Sequence, residues 1–167
     1  YDAQLLKAVE SVNIRQKNTL FTKLSAAFDH DLKGLIIAVW GLSFKPDTDD
    51  MREAPSRVLI ESIWESGGKV QAYDPEAMNE AFRIYGDRND FVLVDSQDAA
   101  VAGADALVIC TEWKSFRVVD FRWLKEQLRV PVVVDGRNLF EPSKVHEAGL
   151  LYFATGRADS VRLDYSL

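Results

Sequence analysis

Six short runs of nearly unbroken apolar residues punctuate the chain, and this rhythm restricts the fold more than any other feature of the sequence. The runs are Leu35–Trp40, Val70–Tyr73, Phe91–Val94, Ala106–Cys110, Val132–Val134 and Leu150–Phe153. Continuous apolarity, as opposed to strict alternation, marks strands covered on both faces. Helical spacing marks the stretches between them, near Ser56–Glu65, Glu76–Ile84, Gln97–Ala102, Phe121–Leu128 and Ser143–Glu147. Strands alternating with helices at this spacing imply parallel pairing through right-handed crossovers. Ahead of them Leu5, Val9, Val12, Leu20, Leu24 and Phe28 keep a helical period up to the Asp29-His30-Asp31 break, which predicts one long N-terminal helix.

The expected architecture is therefore α/β: a doubly wound, mostly parallel six-stranded sheet in three layers, Rossmann-like, preceded by that helix. Two units follow, residues 1–30 as the helix and residues 31–167 as the sheet domain. With 167 residues, 47% of them hydrophobic, a core can form without disulfides, so the lone Cys110 is not part of a staple framework. Twenty basic against twenty-six acidic side chains give a net charge of −6, spread along the chain, which excludes broad electrostatic attraction to nucleic acid or anionic membrane. No apolar run approaches the roughly 20 residues a bilayer span needs, and the N-terminus has no basic segment leading into an apolar one. A cytoplasmic protein is expected. The sequence begins at Tyr1, inside what already reads as a helix with no cap before it, as a piece of something longer would.

In open parallel sheets, ligands collect beyond the carboxyl ends of the strands, where strand order reverses. Five loops lie at that edge. The first, Gly41 to Pro55, takes fifteen residues where a strand-to-helix connection usually takes a few. A dinucleotide fingerprint would need glycine at its third and sixth positions, where Ser43 and Pro46 stand, and Lys45 lacks the neighbours of a Walker phosphate loop. What remains is Lys45, Arg52 and a helix starting near Pro55, whose first amides could face a phosphate. Against them stand Asp47, Asp49, Asp50 and Glu53, which repel a diphosphate unless turned away or paired. The loop is thus either a phosphate-facing element or a solvated segment laced by ion pairs.

The fifth loop, Asp135 to Phe140, brings Arg137 to the same edge as Lys45. A planar arginine fork and a compact lysine charge together suit an anionic, hydroxyl-rich ligand. The alternative is that Arg137 pairs with Asp135 or Asp74 and merely covers the strand ends. His30 and His146 have no Ser or Cys arranged for a triad, and no metal-ligand cluster appears. Cys110, ending an apolar run, reads as a buried inert thiol, while Trp113 and Phe116 read as core or interface aromatics.

The stretch Ala38 to Ser56, with Gly41-Leu42-Ser43-Phe44-Lys45-Pro46-Asp47 and Asp50-Met51-Arg52-Glu53-Ala54-Pro55 inside it, closely resembles the opening of the C-terminal domain of UDP-glucose 6-dehydrogenases. Tyr73-Asp74-Pro75, Thr111-Glu112-Trp113 with Phe116, Asp135-Gly136-Arg137-Asn138, and Tyr152 with Gly156-Arg157 follow in that family's order. Enzymes acting on GDP-mannose or UDP-N-acetylmannosamine share part of the pattern; Trp40, Pro46, Met51 and the Thr-Glu-Trp segment look more like the UDP-glucose branch. The resemblance implies oxidation of UDP-glucose to UDP-glucuronate with two NAD, in nucleotide-sugar and polysaccharide biosynthesis. It implies Phe44, Lys45 and Arg137 as substrate contacts and Arg52 as a contact to NAD held by an N-terminal domain. It also implies a homodimer built on the central helix, whose end the segment Tyr1 to Phe28 resembles through Asn13 and Gln16-Lys17. The family's catalytic cysteine and Gly-rich NAD fingerprint lie upstream and are not in this sequence, so this part alone is expected to bind without turning over. The competing expectation is a non-catalytic module for a nucleotide or a protein partner.

Overall fold

A computed structural model describes residues 17–157 of the chain. Helix α1 covers 17–27, and its end at the Asp29-His30-Asp31 break is where the apolar period stops. The expected helical residues Leu5, Val9, Val12, Asn13 and Gln16 lie outside the described residues. Then follow β1 (Ile36–Trp40), α2 (Pro55–Glu65), β2 (Lys69–Tyr73), α3 (Met78–Tyr85), β3 (Phe91–Leu93), α4 (Gln97–Val101), β4 (Ala106–Ile109), α5 (Phe121–Gln127), β5 (Val132–Asp135), α6 (Pro142–Glu147) and β6 (Leu151–Ala154). All six strands pair in parallel, in the order β3-β2-β1-β4-β5-β6. The chain winds outward from β1 through β3 and returns to start again at β4, so the reversal falls between β1 and β4.

Side chains on a strand alternate between faces, and here that alternation divides the core in two. Ile37, Val39, Ala106, Val108, Val132 and Val134 join Leu20, Leu24, Leu59, Ile60, Ile63 and Ala81, so α1, α2 and α3 cover one face. Ala38, Trp40, Leu107, Ile109, Val133 and Tyr152 join Ala100, Val101, Leu124 and Val145, so α4, α5 and α6 cover the other. Central strands β4 and β5 are buried throughout, as their unbroken apolar runs require. Strand β2 alternates between buried and more open positions, and Gln71 on it donates to the Ala99 and Ala100 carbonyls at the end of α4.

Local chemistry fixes where the helices begin. Ser96 accepts from the Ala99 amide at 3.0 Å, Asp120 accepts from the Arg122 and Trp123 amides at 2.9 and 3.2 Å, and α2 starts on Pro55, which needs no donor there. A 3₁₀ turn at Lys114–Arg117, not evident from the apolar pattern, folds Phe116 under the sheet, where it stacks on Trp40 with ring centroids 5.2 Å apart. Trp40 itself donates to the Gln97 carbonyl at 2.9 Å.

Candidate ligand cleft at the strand reversal

The β1 loop is pinned from below by a buried carboxylate. Asp74, just past β2, accepts from the amides of Leu42 (2.7 Å) and Ser43 (3.1 Å) and from the Trp113 indole (3.1 Å) on Oδ2. Its Oδ1 accepts from the amides of Glu76 (2.9 Å) and Ala77 (2.8 Å). The Thr111 hydroxyl donates to the Ser43 carbonyl at 2.6 Å and the Ser56 hydroxyl to the Leu42 carbonyl at 2.6 Å. Gly41 makes this crowding possible: its φ is +88°, and an added Cβ would stand 2.5 Å from Thr111 Cβ. The loop leaves the sheet rigidly and then turns back on itself, the Phe44 amide donating to the Asp50 carbonyl at 2.8 Å. Phe44 and Lys45 are thereby thrust outward, Phe44 with 48% of its surface exposed.

Arg137 meets them from β5. The buried Asp135 carboxylate accepts from the Arg137 amide (2.8 Å), the Leu139 amide (2.7 Å) and the Tyr152 hydroxyl (2.7 Å), which fixes the turn. The Arg137 Nε donates to the Cys110 carbonyl at 2.9 Å and its Nη2 to the Phe44 carbonyl at 3.2 Å. Among the described residues nothing accepts from either Nη1 hydrogen or from the second one on Nη2. Neither alternative partner takes the side chain: Asp74 is occupied by four amides and the Trp113 indole, Asp135 accepts from the Arg137 amide and not from its guanidinium, and the nearby acid is Glu112, 3.0 Å from Nε.

Phe44, Lys45 and Arg137 line one cleft of about 690 Å³, together with Lys17, Leu20, Glu53, Cys110 and Glu112 among others. That is room for a small organic ligand. Lys17 from α1 pairs with Glu53, which takes one of the loop's acids out of play. The same contact holds the Glu53 carboxyl below the usual range, mainly through the Lys17 hydrogen bond. No described carboxylate lies within ion-pair distance of the Lys45 ammonium.

Comparison with known proteins fits this arrangement. Residues 38–142 match the family model described as "UDP-glucose/GDP-mannose dehydrogenase family, UDP binding domain". The chain belongs to this family. Over 160 residues it is 47% identical to a UDP-glucose 6-dehydrogenase of Pseudomonas aeruginosa, an alignment covering 94% of this chain and 35% of that protein. A UDP-glucose 6-dehydrogenase of Rhizobium meliloti is 39% identical over 156 residues, 93% of this chain and 35% of that protein. Among solved structures, a UDP-glucose dehydrogenase from the archaeon Pyrobaculum islandicum superposes with a TM-score of 0.72 at 31% identity, over 88% of this chain and 31% of that one. The chain thus spans about a third of the length of the relatives it matches.

Within this UDP-binding domain of the family, the structure separates the fourth residue singled out in the sequence from the other three. Arg52 is 86% exposed, does not line the cleft, and is held by Asp50 through Nε (3.0 Å) and Nη2 (2.8 Å). That pairing holds the Asp50 carboxyl down at about 2. The β1 loop does not suit the pyrophosphate of a dinucleotide, because the amides of Leu42 and Ser43 that would face it are spent on Asp74. Cys110 is buried, its thiol pushed up to about 12 by desolvation, so it is no nucleophile. Trp113 and Phe116 are core residues, as expected. The residues that reading the sequence did not rank as functional are Glu112, Lys17 and Glu53. Only the Thr111-Glu112-Trp113 motif and the Gln16-Lys17 pair drew attention to two of them, and no spacing rule joins Lys17 to Glu53.

Proposed function

We propose that this domain holds the sugar nucleotide of an NAD-dependent UDP-glucose 6-dehydrogenase, with Phe44, Lys45 and Arg137 as its contacts. The observation that carries this reading is the convergence of Lys45 and Arg137, from the loops after β1 and β5, on one open cleft. Lys45 brings an ammonium with no described acid beside it, suited to a diphosphate. Arg137 offers an oriented fork suited to paired oxygens. Phe44, half exposed at the rim, gives an apolar face for the nucleotide to lie on. Contacts remote from the reacting carbon are useful here, because they fix the position of the sugar for a step carried out elsewhere.

In the complete protein the primary alcohol of UDP-glucose becomes the carboxylate of UDP-glucuronate, with two NAD each accepting a hydride and a water supplying the second carboxylate oxygen. NAD would be held by an N-terminal domain, with the exposed Arg52 guanidinium reaching it from this side. The helix of residues 1–30 would join that domain to residues 31–167 and build a homodimer, and the enzyme would work in the cytoplasm. Names of relatives at 39 to 47% identity favour UDP-glucose over GDP-mannose or UDP-N-acetylmannosamine.

Calorimetric titration of the complete protein with UDP-glucose tests the assignment. Loss of one charge-assisted contact costs about 1.5–3 kcal/mol, so Lys45→Ala and Arg137→Ala should each weaken binding roughly ten- to a hundredfold. Unchanged affinity in both variants rules the site out, and faster turnover of GDP-mannose or UDP-N-acetylmannosamine than of UDP-glucose reassigns the substrate.

A further inference from the structure

Glu112 stands in the cleft as a carboxylate to which nothing among the described residues donates. Its Oε2 is buried and takes no hydrogen bond, although Arg137 Nε lies only 3.0 Å away, because that N–H is aimed at the Cys110 carbonyl at 2.9 Å. The side chain as a whole is 35% exposed and lines the cleft beside Arg137. Holding Arg137 in place does not require it, since the carbonyls of Cys110 and Phe44 already orient the guanidinium. Helping to attract phosphate is the one thing it cannot do, because a negative charge there cancels much of the pull of Arg137 on an anion. An unsatisfied polar group in a native fold needs a cause, and a donor arriving with the ligand supplies one.

The neighbours of Glu112 show that its placement is built. Thr111 on one side is tied to the Ser43 carbonyl at 2.6 Å, and Trp113 on the other to buried Asp74 at 3.1 Å. The carboxylate is therefore presented by a backbone anchored on both flanks, as a preorganised contact must be.

We propose that Glu112 is a ligand-binding residue that accepts a hydrogen bond from a hydroxyl of the sugar nucleotide, and that Glu112 with Arg137 forms the hydroxyl-reading end of the cleft. This rests on the sugar-nucleotide reading above. A vicinal diol satisfies both partners at once, donating to the carboxylate and accepting from the guanidinium. A phosphate satisfies one and is repelled by the other. Lys45, with no described acid within ion-pair distance, is then the end that takes the diphosphate. The pair discriminates in the way polar sites do: a ligand lacking the hydroxyl would leave the carboxylate without a donor once water is expelled.

Titration of the complete protein as wild type, Glu112→Gln, Glu112→Ala and Arg137→Ala tests this, with UDP-glucose, UDP and inorganic pyrophosphate as probes, the last read by its displacement of UDP. Both Glu112 variants should weaken UDP-glucose binding about tenfold while pyrophosphate binds as well as before or better. A loss confined to UDP-glucose places the hydroxyl on the hexose; an equal loss with UDP places it on the ribose. Unchanged or tighter UDP-glucose binding overturns the proposal, as does pyrophosphate weakened by the same factor, which would mean that Glu112 acts only through the fold. Glu112→Gln keeps the shape of the side chain and so keeps the test decisive if Glu112→Ala does not fold. Should Arg137→Ala and Lys45→Ala both bind UDP-glucose as the wild type does, the sugar-nucleotide site itself fails, independently of Glu112.

Discussion

Replacing Asp74 by alanine removes the post on which the ligand loop stands. Five N–H groups point at this carboxylate, from Leu42, Ser43, Trp113, Glu76 and Ala77, at 2.7 to 3.1 Å. Leu42, Ser43, Ala77 and Trp113 are buried, so their donors do not regain water when the acceptor goes. An orphaned buried donor costs about 1–3 kcal/mol, and water entering the vacated space returns part of that. Taking the low end for each of the four, Asp74→Ala should destabilise the domain by about 4 kcal/mol, a large share of the 5–15 kcal/mol typical of a folded domain. Asparagine is no remedy. With its oxygen toward Leu42, Ser43 and Trp113, its amide hydrogens face the Glu76 and Ala77 N–H groups, and the reverse flip is worse, so Asp74→Asn should cost about 2 kcal/mol. Urea unfolding of the chain, followed by fluorescence of its four tryptophans, measures both. A loss below about 1 kcal/mol for alanine, or wild-type stability for asparagine, would refute the account of Asp74 as the anchor.

Further outcomes follow from the same contacts. Gly41→Ala combines a φ of +88° with a Cβ placed 2.5 Å from Thr111 Cβ, so it should lower stability by about 3 kcal/mol or more, read in the same unfolding experiment. Cys110, buried and with its thiol near 12, should resist alkylation at about pH 8 until the domain is unfolded; rapid labelling of folded protein would contradict its burial. The Asp50 carboxyl, depressed to about 2 by Arg52, should titrate there in a carbon NMR experiment and not near 4. Because the folded value lies below the unfolded one, this pairing steadies the loop at every pH above about 4 and is lost as pH falls through about 2. If Arg52 reaches NAD as proposed, Arg52→Ala in the complete protein should raise the KM for NAD and leave UDP-glucose affinity within about twofold, since Arg52 does not line the cleft.

Six strands and their order along the chain could be read from the sequence because burial on both faces removes polar residues from the middle of a parallel sheet. That rule was strongest for β4 and β5, which are buried throughout, and weakest for β2, where Lys69 and Gln71 interrupt the run. The turn at Lys114–Arg117 leaves no mark in the apolar pattern because it is four residues long and mostly polar. What organises it is Phe116 stacking on Trp40 across 76 positions of sequence, a contact no local period encodes. The cleft was partly visible for the same topological reason: parallel strands send Lys45 and Arg137 to one edge whatever their side chains then do.

The carboxylates were harder to sort, since sequence shows an acid without its partners. Asp74, Asp135, Asp50, Glu53 and Glu112 look alike on paper, yet each has a different fate set by its surroundings. Asp74 and Asp135 are buried and spent on backbone amides and, respectively, an indole and a phenol, so they shape loops and cannot answer a ligand. Asp50 and Glu53 are paired with Arg52 and Lys17, which takes two of the four acids of the β1 loop out of play. Glu112 alone of the five has charge nearby but no hydrogen bond among the described residues, and it is the one that lines the cleft at Arg137. Two of the five thus brace loops from inside, two are paired on the β1 loop, and the fifth, on the loop after β4, is the one left without a donor among the described residues.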